Sequence, residues 1–462
     1  MNIYNTLNRR IEKFIPNGDV VKMYTCGPTV YHFAHIGNLR TYIMEDILEK
    51  TLIYNNYKVD RVMNITDVGH LSSDSDSGDD KMVKGAIREH KTVLEIADYY
   101  TKAFKNDTDK LNIKWPETVV KATDCINDYI KIIQTLLDKN YAYISNGNVY
   151  FDVTKLDDYY KLTNHVIDDM VVGARENVGL DNSKHNQADF VLWFTKSKFN
   201  EQELKWESPW GLGYPGWHIE CSGISIKYLG EYLDIHCGGV DNIFPHHTNE
   251  IAQSESYLGH KWCNYWVHAE HLNDKNGKMS KSNGDFLTIS LLESKGYDPL
   301  AYRLMCLQSH YRKQLVFSYE ALDISLNTYL KLKSKIKSII NDNIVNENDF
   351  NKYNLQFITA LNDDLNTSYA ITILYDVIKS DINSGTKLKL IESFDKVLSL
   401  DLLNNTKKEI DDEMKSYILS KIEERNIAKK NKNYDLADKI RNELLEQGII
   451  LKDTREGTTY EV

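Results

Sequence analysis

At 462 residues the chain exceeds one ordinary hydrophobic core, which predicts roughly three domains. It is 42% hydrophobic and 27% charged, and no apolar run approaches the roughly 18 residues that span a bilayer, so both a disordered chain and a membrane-embedded one are excluded. The formal charge of −11 argues against a dedicated basic nucleic-acid binder, though not against a local basic face.

The first residues, MNIYNTLNRRIEKF, carry basic groups but no apolar stretch followed by small residues. They do not read as a secretory signal, and the expected compartment is the cytoplasm. The run VVKMYTCGP (20–28) is strand-like and stops at Gly27-Pro28, and VYHFAHIGNLRTYIMEDILEKTLIYNN then rises into a helix. A second strand, YKVDRVMNITDVGH, follows at once, as a right-handed parallel β-α-β unit requires. Residues 72–80, SSDSDSGDD, read as an acidic loop, and helical spacing dominates from about 83 to 140 with a break at Trp115-Pro116. Between 141 and about 208, short aromatic and β-branched stretches separated by polar turns predict a small insertion. The α/β pattern then resumes: GWHIECSGISIKYLG as helix, YLDIHCGGVD as buried strand, and PHHTNEIAQSESYLG as a helix opened by Pro245. From about 316 to 400 the Leu/Ile/Lys spacing predicts a helical bundle. A charged helix pair and a hairpin or loose tail close the chain.

Six cysteines, at 26, 125, 221, 237, 263 and 306, lack the short regular spacing of a disulfide framework and read as reduced thiols. Where the first strand hands over to its helix, His35, Gly37 and Asn38 meet unpaired backbone N–H groups and the positive end of the helix dipole, a place suited to an anion. A buried histidine capping an ordinary helix explains one such string equally well. The segment Lys278-Met-Ser-Lys281-Ser is flanked by glycine and carries two lysines and two hydroxyls, and it can close over a triphosphate. A lysine-rich loop is also commonly just solvated. Cys26, Cys221, His246 and Glu250 are residue types that zinc accepts, but spacing alone does not single them out, since cysteines are common in cores and paired histidines often cap helices. Either His246 or His247 lies on the face of Glu250. Trp217 offers an aromatic wall and Thr66 a hydroxyl to a small substrate. His236, Gly238, Gly239 and Asp241 lie at the C-terminal end of a central strand, where nucleotides bind in open α/β sheets.

HIGN followed by KMSKS some 240 residues later, on an α/β chain, resembles the class I aminoacyl-tRNA synthetases. The wording TCGPTVY, PGWHIECS, HCGGVDNIFPHHTNEIAQSE and KMSKS is similar, from end to end, to the cysteinyl-tRNA synthetases. That resemblance implies that His35, Gly37 and Asn38 adjoin the ATP phosphates, with Asn38 standing where the family usually has a second histidine. It implies that Lys281, assisted by Lys278, stabilises the transition state of adenylate formation. It further implies one Zn²⁺ per chain on Cys26, Cys221, His246 and Glu250, Mg²⁺ with ATP, and a cysteine pocket that includes Gly27, Thr66 and Trp217. The implied partners are ATP, L-cysteine and tRNA(Cys), and the implied state is a monomer. The tail RNIAKKNKNYDLADKIRNELLEQGIILKDTREGTTYEV matches the family's anticodon-reading region, where Lys429, Tyr434, Asp438 and Asp453 are candidate contacts to phosphate and bases.

The fold expected is a Rossmann-like parallel-sheet catalytic domain in two halves (1–117 and 209–258), interrupted by a connective insertion (118–208). A KMSKS-bearing stem-contact region (259–315), a helical bundle (316–403) and a small anticodon-binding domain (404–462) follow. Two other functions share parts of this wording. One is a cysteine ligase acting on a small amino sugar, which would need neither the bundle nor the C-terminal region. The other is a noncatalytic zinc- and tRNA-binding relative, against which the retained His35, Lys278 and Lys281 speak.

Overall fold

A computed structural model describes residues 1–68, 71–73, 77–80, 92–163, 183–196, 204–274, 277–278, 287–404, 412–431, 433–446, 449–454 and 457–461. Asn2–Asn5 (β1) and Arg10–Lys13 (β2) pair as an antiparallel hairpin. Val20–Thr25 (β3) buries Val21, Met23, Tyr24 and Thr25, because a strand inside a parallel sheet is covered on both faces. Helix Ile36–Tyr54 (α1) leads into Lys58–Ile65 (β4), which lies parallel to β3 with Val20 opposite Lys58 and Thr25 opposite Met63.

Leu71–Ser73 (β5) and Ser77–Asp80 (β6) pair antiparallel where a loop is expected from sequence. Serine and aspartate have low strand propensity, so the pairing leaves no pattern to read. Helix Val93–Lys110 (α2) starts from a reciprocal cap between Thr92 and Glu95. Thr118–Lys121 (β7) then pairs parallel with β4. The central sheet therefore extends past the expected start of the insertion at 118. After helix Ile126–Asp138 (α3), the strands Ala142–Ser145 (β8), Asn148–Phe151 (β9), Phe190–Phe194 (β10) and Tyr214–Pro215 (β11) form an antiparallel sheet in the order β11-β10-β9-β8.

Helix Trp217–Leu229 (α4) returns to the main layer, followed by Leu233–Gly239 (β12), helix Thr248–Leu258 (α5) and Cys263–Ala269 (β13). Pro245 does not open α5 itself. A wider turn, Ile243–His247, comes first, and Phe244 is extended (φ −140°, ψ 133°), as the steric clash with a following proline requires. The five parallel strands take the order β13-β12-β3-β4-β7, so the chain direction across the sheet reverses between β3 and β12. In such sheets ligands bind at the carboxyl ends beside that reversal. Cys26 follows β3 there, and Gly238 and Gly239 end β12.

A small sheet of Leu272–Asp274 (β14), Gly277–Lys278 (β15) and Leu315–Val316 (β16) joins the catalytic layer to the helices. These are Ile289–Ser294 (α6), Pro299–Leu307 (α7), Tyr319–Lys337 (α8), Glu347–Asn362 (α9), Thr367–Lys379 (α10) and Ser384–Leu398 (α11). One apolar cluster runs from Met23 and Ile47 through Leu304 to Phe357 and Phe394. The C-terminal pair Asp412–Lys430 (α12) and Tyr434–Glu446 (α13), with the hairpin Ile450–Thr454 (β17) and Gly457–Glu461 (β18), has a separate cluster of Ile418, Ile422, Ile440, Leu444, Ile449 and Leu451.

Helix α1 is covered on most sides, and its buried carboxylates Glu45, Asp46 and Glu49 are matched by cations. Arg61 reaches Glu45 at 3.1 Å and Glu49 at 3.2 Å, and Arg303 reaches Asp46 at 2.6 Å. Burial raises the Asp46 carboxyl, but Arg303 and Lys50 outweigh it and hold the group below its ordinary value. No helix among the described residues is long and apolar enough to cross a membrane.

Candidate functional site

The side chains of Cys26, Cys221, His246 and Glu250 each bring one donor atom to a common point, all within 4.8 Å of one another. Three elements supply them: the end of β3, the second turn of α4, and the segment that enters α5. Cys26 Sγ lies 3.9 Å from Cys221 Sγ and 4.0 Å from Glu250 Oε1, and His246 Nε2 lies 3.0 Å from Glu250 Oε1. A second set of Cys26, His236, His247 and Glu250 overlaps the first, with His247 Nε2 3.3 Å from Cys26 Sγ and His236 Nε2 2.9 Å from Glu250 Oε2.

Burial pushes the Cys26 and Cys221 thiols and the Glu250 carboxyl upward, because no bulk water stabilises their anions. It pushes His236 down to about 3. A divalent cation reverses that preference, favouring deprotonated thiols and neutral imidazole. Two sulfurs, an imidazole and a carboxylate within 4.8 Å of one another form a donor set of the kind zinc takes. The residues therefore fit a zinc ion.

The donors are themselves held in place. His218 Nδ1 and His246 Nδ1 lie 2.9 Å apart. His247 Nδ1 meets His268 Nε2 at 2.8 Å, and His268 Nδ1 meets the Thr6 hydroxyl at 2.7 Å. Such bonds at the far ring nitrogen fix the tautomer and the direction of the near one. Trp217 stacks on His246, ring centres 4.0 Å apart. The Thr66 hydroxyl donates to Glu220 at 2.9 Å and accepts from the Asn64 amide at 3.1 Å, and Asn64 Oδ1 accepts from the Gly27 amide at 2.8 Å. At Gly27 a Cβ would stand 1.5 Å from the Asn64 carbonyl oxygen, so no side chain fits.

Beside the cluster opens a cavity of about 290 Å³, lined by Cys26, Gly27, His35, Gly37, Asn38, Gly238, Gly239 and Asp241 among others. His35 caps α1: its Nδ1 accepts from the Asn38 amide at 3.1 Å, while Asn38 Oδ1 accepts from the His35 amide at 3.3 Å. Gly37 leaves room above the His35 ring, where a Cβ would lie 2.9 Å from Nδ1. Across the cavity Asp241 Oδ1 lies 3.1 Å from His271 Nε2.

The structure thus gathers most of the residues singled out from sequence into one region, with differences. His236, expected beside adenosine, is fully buried among Glu250, His247 and Trp266 and does not line the cavity. Thr66 is fully engaged with Glu220 and Asn64. Lys278 closes β15, and Lys281 lies outside the described residues. In the C-terminal unit Tyr434 is 61% exposed, Asp438 is exposed and Lys429 half-buried, while the side chain of Asp453 lies outside the described residues. Sequence reading missed Asn64, His218, Glu220 and His268. The strings WHIE and WVHAEH are rich in histidine and acid, and β-register places His268 opposite Gly238, a signal available once the two strands are paired.

Residues 13–327 match the family described as tRNA synthetases class I (C) catalytic domain, and residues 356–404 match the DALR domain. The chain is 46% identical to a cysteine–tRNA ligase of Treponema denticola, an alignment covering 100% of this chain and 99% of that one. It is 43% identical to that of Borreliella burgdorferi, covering 99% and 98%. Among solved structures it is similar to a Mycobacterium tuberculosis methionyl-tRNA synthetase in complex with methionyl-adenylate (TM-score 0.54, 13% identity, 83% of this chain and 91% of that). It is also similar to the Agrobacterium radiobacter K84 agnB2 LeuRS in a ternary complex (TM-score 0.54, 11% identity, 84% of each). At these identities the structural likeness speaks for the fold alone.

Proposed function

From the premise that the chain belongs to the cysteine–tRNA ligases of class I, we propose that it selects cysteine at the Cys26, Cys221, His246 and Glu250 cluster and activates it in the adjoining cavity. The carrying observation is the convergence of four zinc-type donors, three buried and the fourth, Cys26, half-buried and lining the adjoining cavity. A zinc ion held there would supply a soft site for a thiolate, which discriminates against serine because a hydroxyl is a poor ligand at neutral pH. In the first step a carboxylate oxygen of cysteine attacks the α-phosphorus of Mg-ATP and pyrophosphate leaves. In the second the terminal adenosine hydroxyl of tRNA attacks the acyl carbon and AMP leaves.

This chain's own residues do the positioning. The first turn of α1 presents the positive end of its helix dipole to the phosphates. Gly238 and Gly239 admit the adenosine, and Asp241 accepts from a ribose hydroxyl. Lys281, with Lys278, neutralises the charge that develops on pyrophosphate. The exposed Tyr434 and Asp438, with Lys429 and Asp453, belong to a C-terminal unit (404–462) that reads the anticodon. The catalytic halves, insertion, stem-contact region and bundle follow the order expected from sequence, with β7 and β13, both outside the expected catalytic bounds, added to the catalytic sheet. The chain works as a monomer in the cytoplasm.

Metal analysis combined with cysteine-dependent ATP–pyrophosphate exchange and charging of unfractionated tRNA tests the proposal. One zinc per chain, exchange and charging are expected together. Exchange without tRNA charging, but with transfer to an amino sugar, would sink the acceptor assignment.

A further inference from the structure

Arg40 lies two residues beyond Asn38 on α1 and is only 3% exposed. Its guanidinium donates to four main-chain carbonyls. Nη1 reaches Glu270 O at 2.8 Å and His271 O at 2.5 Å, and Nη2 reaches Lys313 O at 2.5 Å and His310 O at 3.4 Å. No carboxylate among the described residues pairs with it. A buried guanidinium carries a large desolvation penalty, and one satisfied by carbonyls alone gains little stability over an apolar side chain of similar size. Its value lies in geometry, since the planar fork fixes the directions of several acceptors at once.

Those four carbonyls belong to the roots of the small sheet that carries Lys278. Glu270 and His271 immediately precede β14, and His310 to Lys313 lead into β16, its parallel neighbour. The two segments are themselves zipped, by Glu270 N to Tyr311 O at 2.9 Å and Leu315 N to His271 O at 3.1 Å. β15, which ends on Lys278, pairs with β14. At the other root, where the chain returns, Leu287 O accepts from the Ile36 amide at 2.8 Å. Ile36, Gly37, Asn38 and Arg40 therefore form one turn and a little more of helix that faces the cavity and holds both roots.

We propose that Arg40 is a positioning residue for adenylate formation. It locks the sheet bearing Lys278 against the same helical turn that receives the ATP phosphates, so that the phosphate end and the lysine end of the site keep one spacing. The proposal rests on the reading of Lys278 and Lys281 given above. Misplacement by about 1 Å in a site of this kind lowers the rate about 100-fold.

The test uses the full chain with its metal and the variants Arg40→Lys, Arg40→Gln and Lys281→Ala, with kcat and KM measured in cysteine-dependent pyrophosphate exchange. Zinc content and melting temperature are recorded for each. Both Arg40 variants should lose about 100-fold in kcat while the KM for cysteine stays within about twofold and zinc content is unchanged. Wild-type kcat in either folded Arg40 variant, whatever its melting temperature, overturns the proposal, and so does failure of both to fold. If Lys281→Ala is slow while the Arg40 variants are not, only Arg40 is misassigned. If Lys281→Ala retains full kcat, the loop reading fails and the proposal with it.

Discussion

His35 and Asn38 hold each other: each side chain accepts a hydrogen bond from the other's backbone amide, at 3.1 and 3.3 Å. The asparagine that stands in place of a second histidine is thereby part of the helix start as well as of the cavity wall. Replacing Asn38 with Ala removes one half of this cap and should lower stability by about 1 kcal/mol in urea denaturation. Asn38→Asp keeps the cap but sets a negative charge toward the phosphates. It should therefore retain stability and slow pyrophosphate exchange more than Asn38→Ala does. Equal rates for the two would remove Asn38 from the phosphate site.

Cys221→Ser should weaken zinc and cysteine together, since a hydroxyl replaces one of two thiolates that lie 3.9 Å apart. His246→Ala should behave alike. His247→Ala should keep the metal, because the set built on His246 offers two sulfurs and the set built on His247 only one. Metal content by mass spectrometry or elemental analysis reads all three. Loss of zinc in His247→Ala with retention in His246→Ala would reverse the assignment.

Asp107, on the buried side of α2, has its carboxyl raised to about 6 by burial. Below about pH 4 both folded and unfolded chains hold this proton, and its favourable contribution is fully present. As pH rises through 6 the unfolded chain has already released the proton that the folded chain still holds, and stability falls. Asp107→Asn should thus be more stable than the unsubstituted chain by about 2 kcal/mol above pH 7, with the gain vanishing near pH 4. A pH-independent difference would show that Asp107 ionisation is not the cause.

Arg303 joins three regions by donating to Asp46 at 2.6 Å, Leu111 O at 2.9 Å and Leu398 O at 2.7 Å, all buried. Arg303→Met strands the Asp46 carboxylate with Lys50 as its remaining cation and leaves two carbonyls unmatched. The expected loss is about 3 kcal/mol, measured by denaturation. A loss under about 0.5 kcal/mol, the range of ordinary surface changes, would show that the pairing contributes little.

Local order was legible because it depends on neighbours a few residues apart. Val20–Thr25 and Lys58–Ile65 read as strands on either side of a helix, and α1 begins at a His35 cap, one of the two readings of that string. The pairing at 71–80 was not legible, because polar residues in strands leave no periodic trace. The extended Phe244 was legible in the proline after it, a signal that the expected start of α5 at Pro245 leaves out.

The sequence by itself determined the family, through the wording around Cys26, Cys221, His246 and Lys278, and with it the parallel α/β frame. Only the tertiary structure decided which atoms meet. Cys26 and Cys221 stand 195 residues apart and come together because β3 lies beside the reversal in strand order and α4 packs behind it. The same folding turned His236 inward to Glu250 and away from the cavity, and set Arg40 against carbonyls more than 200 residues away. Strand alternation and helical phase determine which face a side chain takes, but the order of strands determines what that face meets.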